Sequence, residues 1–324
     1  MKFPFQIKAP SRLLRIANRY RNLGFRSFGK KGNQNPLATS LNAFSPATSS
    51  AALLGFIERG RASRFAEACS TLNVCQISEP NTGYGARSYG ARVVDATGAV
   101  LWLKVFGLTS ETNERWKAES EADAIAGVPK PKLIRQITWN HSDEFWVARL
   151  TTLVAGIIEK GPWADSSAHG VESTWFEALN RSLEALARQP CTRVHIQTRL
   201  FERWLKRHFR SRPTVDPSDW VPSHNDLQWS NLSHPDLSIL DWEWYGQSPR
   251  GYDHGALIVY SCHDEELTAR LESSFKPTLE VGVGAFSKLF AAHTIRNSIR
   301  NGWLTPAMEA PVERLIRRWA SELG

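Results

Sequence analysis

Hydrophobic periodicity changes character near residue 155 of this 324-residue chain, and that change limits the folds open to it. Before it, short β-branched and apolar runs at 74–77, 91–94, 100–106, 132–139 and 145–150 are separated by turn signals. Asp95-Ala96-Thr97-Gly98 is such a signal, of the hairpin kind. After it, apolar residues recur at helical spacing over 172–188, 194–210, 253–260, 263–273, 283–300 and 309–323. The last stretch lines up Val312, Leu315, Ile316, Trp319 and Leu323 as one packing stripe. Two further helices are expected at 51–68 and 111–126. Strands first and helices second imply two lobes, 51–152 and 153–324, with a cleft between them.

The basic balance of the chain is local. Residues 1–57 hold nine of the 40 Lys and Arg and none of the 32 Asp and Glu, which leaves 31 basic against 32 acidic residues in the rest. The body is therefore near neutral, and no stable nucleic-acid partner is expected for it. Residues 1–50 read as a basic amphipathic arm and linker that would touch an acidic surface. A docked or solvated helix is the first reading, an organellar transit peptide the second and a membrane-surface helix the third. Four scattered cysteines without a Cys-x-x-Cys pair suit a reducing compartment. No apolar run reaches about eighteen residues. The expected location is cytoplasmic, with organellar import left open by the arm.

The second half carries a chemical pattern. His224-x-Asp226-x-x-x-x-Asn231 is followed by Ile239-Leu240-Asp241, so two carboxylates and an amide stand at offsets of five and ten residues. Phosphoryl transfer from ATP needs that set: a carboxylate to accept the proton of the attacking hydroxyl, and an amide oxygen and a second carboxylate to hold Mg²⁺. Asp226 is the candidate base and Asn231 and Asp241 the candidate metal ligands. Ile239-Leu240 is expected to be a short strand that delivers Asp241. His224 is read as a residue that shapes the loop.

Lys104 lies in an apolar strand with Trp102 and Phe106 on its face, which suits a cleft lysine binding α- and β-phosphates. Glu119 and Glu121 are candidates to hold it. Glu121 is preferred, because Ala118, Ala122 and Ile125 bracket it. Gly83, Gly85 and Ser88 belong to a glycine-rich loop between strands that would approach phosphate oxygens. No G-x-x-x-x-G-K-[ST] sequence is present.

Together these residues resemble the aminoglycoside phosphotransferase and choline kinase superfamily. Asp241-Trp242-Glu243-Trp244, then Arg250-Gly251-Tyr252-Asp253-x-Gly255, is similar to the choline/ethanolamine kinase pattern. The resemblance implies a bilobal protein-kinase-like α+β fold, with a small antiparallel sheet and a mainly helical second lobe. It implies transfer of phosphate from ATP with Mg²⁺ to the hydroxyl of a small molecule, and makes Asp253 a brace for the loop. The adenine is expected near Val147 and Ala148, at a strand end with free backbone groups. Glu243 and Trp244 are candidate acceptor residues, suited to a cationic amino alcohol or amino sugar. Two alternatives are weighed against this. One is a peptide or protein hydroxyl as acceptor, docked by the basic stretch 193–212. The other is a non-catalytic scaffold with a basic arm. Gln228 and Trp229 depart from the small residues usual between Asp226 and Asn231.

Overall fold

The computed structural model describes residues 50–82, 88–108, 114–141, 144–165, 168–211 and 213–323. The expectations for the basic arm, and those for Gly83 and Gly85, lie outside the described residues. The chain divides into two compact units, Met1–Glu67 and Ala68–Gly324. In the first, the described part belongs to helix α1 (Ser50–Leu72), where Arg64 and Glu67 form an ion pair one turn apart. The strands and the other helices belong to the second.

That second unit is α+β. Strands β1 (Val74–Gln76), β2 (Asn81–Thr82), β3 (Ser88–Asp95), β4 (Val100–Leu108), β5 (Leu133–His141) and β6 (Glu144–Thr152) form one antiparallel sheet. Its order is β1-β3-β4-β6-β5, with β2 also on β3. The hairpin turn between β3 and β4 forms as its residues dictate. Asp95 Oδ1 accepts from the N–H groups of Thr97 and Ala99, and Gly98 takes a φ of 84°.

Alternation along β4 buries Leu101, Leu103 and Val105 on one face and leaves Trp102 and Lys104 half-buried on the other. Gly90, opposite Lys104 on β3, leaves room for the Trp102 ring, which a Cβ there would meet at 2.6 Å.

Helix α2 (Glu114–Ala122) follows β4. Its Ala118 and Ala122, with Ile125 and Val128 beyond, join the apolar core of the helical part. That part comprises α3 (Ser173–Ala187), α4 (Thr198–His208), α5 (Tyr252–Val259), α6 (Glu265–Leu279), α7 (Gly284–Arg300) and α8 (Glu309–Glu322). Two small antiparallel pairs complete it: β7 (Ile157–Ile158) with β9 (Ser233–His234), and β8 (Trp220–Ser223) with β10 (Gly246–Pro249). Among the described residues no helix is long and apolar enough to cross a membrane.

Two expectations change. The basic helix is Thr198–His208, shorter than 194–210, because Arg193 and Val194 are taken up by extended backbone contacts with Gln247. The strand expected at Ile239–Leu240 reduces to a single bridge from Ile239 to Leu232. Its backbone is instead divided between two partners: Ile239 N–H donates to Pro129 O and Leu240 N–H to Asn231 O, both at 2.8 Å.

Candidate active site

The loop after β8 is built by short polar contacts. Asn225 takes a φ of 67°, a left-handed conformation that Asn tolerates better than most residues. That conformation aims its Nδ2 at three carbonyls, Ser223 at 3.1 Å, Trp244 at 3.2 Å and Gly246 at 2.8 Å. Asp253, in the first turn of α5, accepts from the backbone N–H groups of His224 at 2.7 Å and Asn225 at 2.8 Å, one on each oxygen. His224 is buried. The Asp226 N–H donates to its Nδ1 at 3.3 Å, so Nε2 carries the ring hydrogen and donates to Leu240 O at 2.8 Å. Burial holds its pKa below the usual histidine value.

These bonds bring Asp226, Asn231 and Asp241 together. Asn231 Nδ2 donates to the Asp226 carbonyl at 2.8 Å and to Asp226 Oδ2 at 3.1 Å. That commits the amide's hydrogens and leaves Oδ1 as the atom it can offer a cation. The Leu240 N–H bond to Asn231 O sets Asp241 beside it, at a φ of 60°. Gln228 donates to Asp226 Oδ2 at 3.3 Å. Trp229, fully buried, stacks on Trp175 at 5.7 Å and donates from Nε1 to Ser261 Oγ at 2.8 Å. The two bulky residues thus have separate tasks: one touches the carboxylate, the other anchors the loop in the helical core.

Lys104 arrives from the sheet, 137 residues away in sequence from its partner. Its Nζ lies 2.6 Å from Asp241 Oδ1 and 3.5 Å from Glu119 Oε1. Burial opposes its charge, but Asp241, Glu119 and Glu243 outweigh it and hold the pKa above the ordinary lysine value. Asp226 shifts upward too: burial is the main cause, the Asp241 and Glu243 charges add to it, and the Asn231 hydrogen bond opposes.

Glu121 is not the partner of Lys104. It pairs with Arg193, Oε1 to Nη2 at 2.7 Å. Both glutamates flank the stripe of Ala118, Ala122 and Ile125, but at 3.6 residues per turn they flank it on opposite sides. The stripe faces the helical core, which leaves Glu119 toward the sheet and Glu121 toward the segment after α3.

Val147 and Ala148 also differ from expectation. Both are fully buried in the middle of β6, paired with Phe106 and Val105 on one side and Thr138 and Ile137 on the other. Their position between two neighbouring strands commits their backbone to the ladders, because the strand continues to Thr152. The chain leaves the sheet over 153–156, which carry no backbone hydrogen bond among the described residues.

Ser88 opens β3 opposite Phe106, half-buried. Of the acceptor candidates, Glu243 and Trp244 are half-buried in a 3₁₀ turn, and the Trp244 ring meets His195 edge-on at 5.4 Å. Trp242 and Tyr245 are buried in the core.

Sequence reasoning missed Arg149, whose signal was present: a guanidinium inside the apolar run 145–150. It is 4% exposed, with Nη2 2.6 Å from Asp123, Nη1 2.5 Å from Gln136 and Nε 3.5 Å from Glu119.

No family model matches the chain, and no curated protein matches it in sequence. Solved structures do match its fold. An amicoumacin kinase, hAmiN, in complex with AMP-PNP, Ca²⁺ and Ami superimposes with a TM-score of 0.50 at 13% identity, over 82% of this chain and 94% of that one. An aminoglycoside-3′-phosphotransferase of type VIII gives 0.51 at 17% identity, over 71% and 96%. The aminoglycoside phosphotransferase APH(4)-Ia gives 0.51 at 11% identity, over 79% and 98%. The chain has the kinase-like α+β fold of these phosphotransferase structures.

Proposed function

We propose that this chain transfers the γ-phosphoryl group of ATP to a hydroxyl of a small, cationic molecule. The observation that carries the reading is the convergence of Lys104, Asp226, Asn231 and Asp241 from the sheet and two loop segments, with Lys104 2.6 Å from Asp241 and the Asn231 amide 3.1 Å from Asp226.

The residues fit the ligands this chemistry needs. Asp241 and the Asn231 Oδ1 are hard oxygen donors of the kind Mg²⁺ takes, and Mg²⁺ is usually bound by one or two carboxylates together with substrate phosphates. Among the described residues there is no cluster of three or more His, Cys, Asp or Glu that would hold a metal without them. Bound Mg²⁺ would supply charge neutralisation on the phosphate oxygens.

Lys104, held charged by three carboxylates, offers those oxygens a fixed cation. Asp226 orients the acceptor hydroxyl and takes its proton. A carboxyl whose pKa is raised is the better base for that task. The open backbone groups of 153–156 are suited to the adenine, in place of Val147 and Ala148. Ser88, with Gly83 and Gly85, is assigned to the phosphates. The rate enhancement comes from positioning and from charge placed in advance.

Glu243 and Trp244 are assigned to the acceptor. An acidic, aromatic edge favours an ammonium group, hence an amino alcohol or amino sugar. The matched structures, named for amicoumacin and aminoglycosides, favour a small molecule over a peptide. A nucleotide-depletion screen over amino alcohols, amino sugars and serine peptides, with the phosphate located by mass spectrometry, tests this. Phosphate on an amine-bearing alcohol is expected. Phosphate only on peptide serine would replace the acceptor, and no consumption with any compound would remove the activity.

A further inference from the structure

We propose that Arg149 is a positioning residue for the nucleotide site, acting through Glu119 on Lys104. The inference rests on the phosphotransfer reading and extends it to a residue remote from the loop. Lys104 and Arg149 are directly opposite each other on β4 and β6, so they project from the same face of the sheet. Gly90 and Gln136 continue the row on either side. Two cations facing each other across a ladder repel, and this face is otherwise largely closed to water at Arg149.

The arrangement stands because α2 and the turn after it lay two carboxylates over the row. Asp123 takes the Arg149 fork at 2.6 Å. Glu119 Oε1 stands 3.5 Å from both the Arg149 Nε and the Lys104 Nζ. A single carboxylate oxygen is thereby shared between the two cations. Arg149 reaches it from a side chain whose other two nitrogens are already committed to Asp123 and Gln136. That rigid, three-point fork sets where Glu119 sits, and Glu119 with Asp241 sets where the lysine sits. Lysine at 149 would carry the charge without the fork geometry.

Calorimetric titration of a non-hydrolysable ATP analogue with Mg²⁺ tests this, together with amide hydrogen exchange of the nucleotide-free protein. The proteins are wild type, Arg149→Met, Arg149→Lys, Glu119→Gln and the Arg149→Met/Glu119→Gln double variant. Arg149→Met is expected to weaken nucleotide binding by roughly tenfold or more. It should also reduce exchange protection across Glu114–Ala122. Arg149→Lys should fall between it and wild type. In the Glu119→Gln background, Arg149→Met should add little, because its effect runs through that carboxylate.

Unchanged nucleotide affinity in a folded Arg149→Met protein would overturn the proposal, as would effects that add in full in the double variant. If Arg149→Met fails to fold, Arg149→Lys and Asp123→Asn, which loosen the same fork, carry the same comparison. Failure of wild type itself to bind nucleotide would overturn the phosphotransfer reading first and this inference with it. Wild-type binding that ignores Arg149 would overturn this inference alone.

Discussion

The two halves of the candidate site handle charge in opposite ways. On the sheet, Lys104 and Arg149 stand side by side and are matched by Glu119, Asp123 and Asp241. On the loop, Asp226 and Asp253 are held by amide hydrogens: side chains of Asn231 and Gln228 for the first, backbone N–H groups of His224 and Asn225 for the second. Burial pushes both loop carboxyls above the ordinary aspartate range. The sheet half meets its two cations with three carboxylates, one of which, Asp241, is lent by the loop half. The loop half holds Asp226 and Asp253 in place with neutral donors, and the proposed metal-bound triphosphate and cationic acceptor would bring positive charge to it.

The largest expected effect breaks the loop half. Asp226→Asn should cut turnover by about 10³-fold or more, the range for losing a positioned base, with nucleotide affinity largely kept. It should also raise the melting temperature at neutral pH. The sign follows from the upward shift of Asp226. Below the unfolded carboxylate pKa of about 3.9 both states are protonated. Above it the unfolded chain releases its proton first, and stability falls until the raised folded pKa is passed. A neutral amide escapes that loss. Steady-state kinetics and thermal melts at pH 7 check both halves; a less stable Asp226→Asn would contradict the electrostatic account.

Breaking the sheet half comes next. Lys104→Met should raise the nucleotide KM by about ten- to a hundredfold, the range for losing a charge-assisted contact. Measured acceptor KM should move less. The brace of the loop is read in stability rather than in turnover. Asp253→Ala orphans two backbone N–H groups at about 1–3 kcal/mol each, so urea melts should show a loss of about 2–6 kcal/mol. The smallest effect sharpens the contrast. Glu243→Gln removes one of the charges that raise Asp226, so the acid limb of the kcat/KM profile should move to lower pH. A limb that does not move would place Glu243 outside the base's electrostatic reach.

The loop half was legible in the sequence because its residues are close in the chain: Asp226, Asn231 and Asp241 span sixteen positions, and the carbonyls that fix them lie within a few residues. The sheet half was legible only in part. Alternation along β4 identified the face of Lys104, but the choice between Glu119 and Glu121 depends on which way α2 rolls. That roll is set by burial of Ala118 and Ala122 in a core contributed mainly by later helices, which periodicity within one helix does not reveal. The end of β6 is hidden from the sequence for a similar reason, since its pairing with Leu101 and Lys132 carries the strand to Thr152. Arg149 is not legible in the sequence, because a lone arginine in a strand has no meaning until its neighbours across the ladder are known.

Calorimetry of an ATP analogue against wild type and Asp241→Ala, each with and without Mg²⁺, tests the central claim most directly. Wild type should bind the nucleotide tightly only when Mg²⁺ is present, and Asp241→Ala should lose that Mg²⁺-dependent gain. Equal binding with and without Mg²⁺, or an Asp241→Ala protein that keeps the gain, would contradict the assignment of this site to metal-assisted phosphoryl transfer.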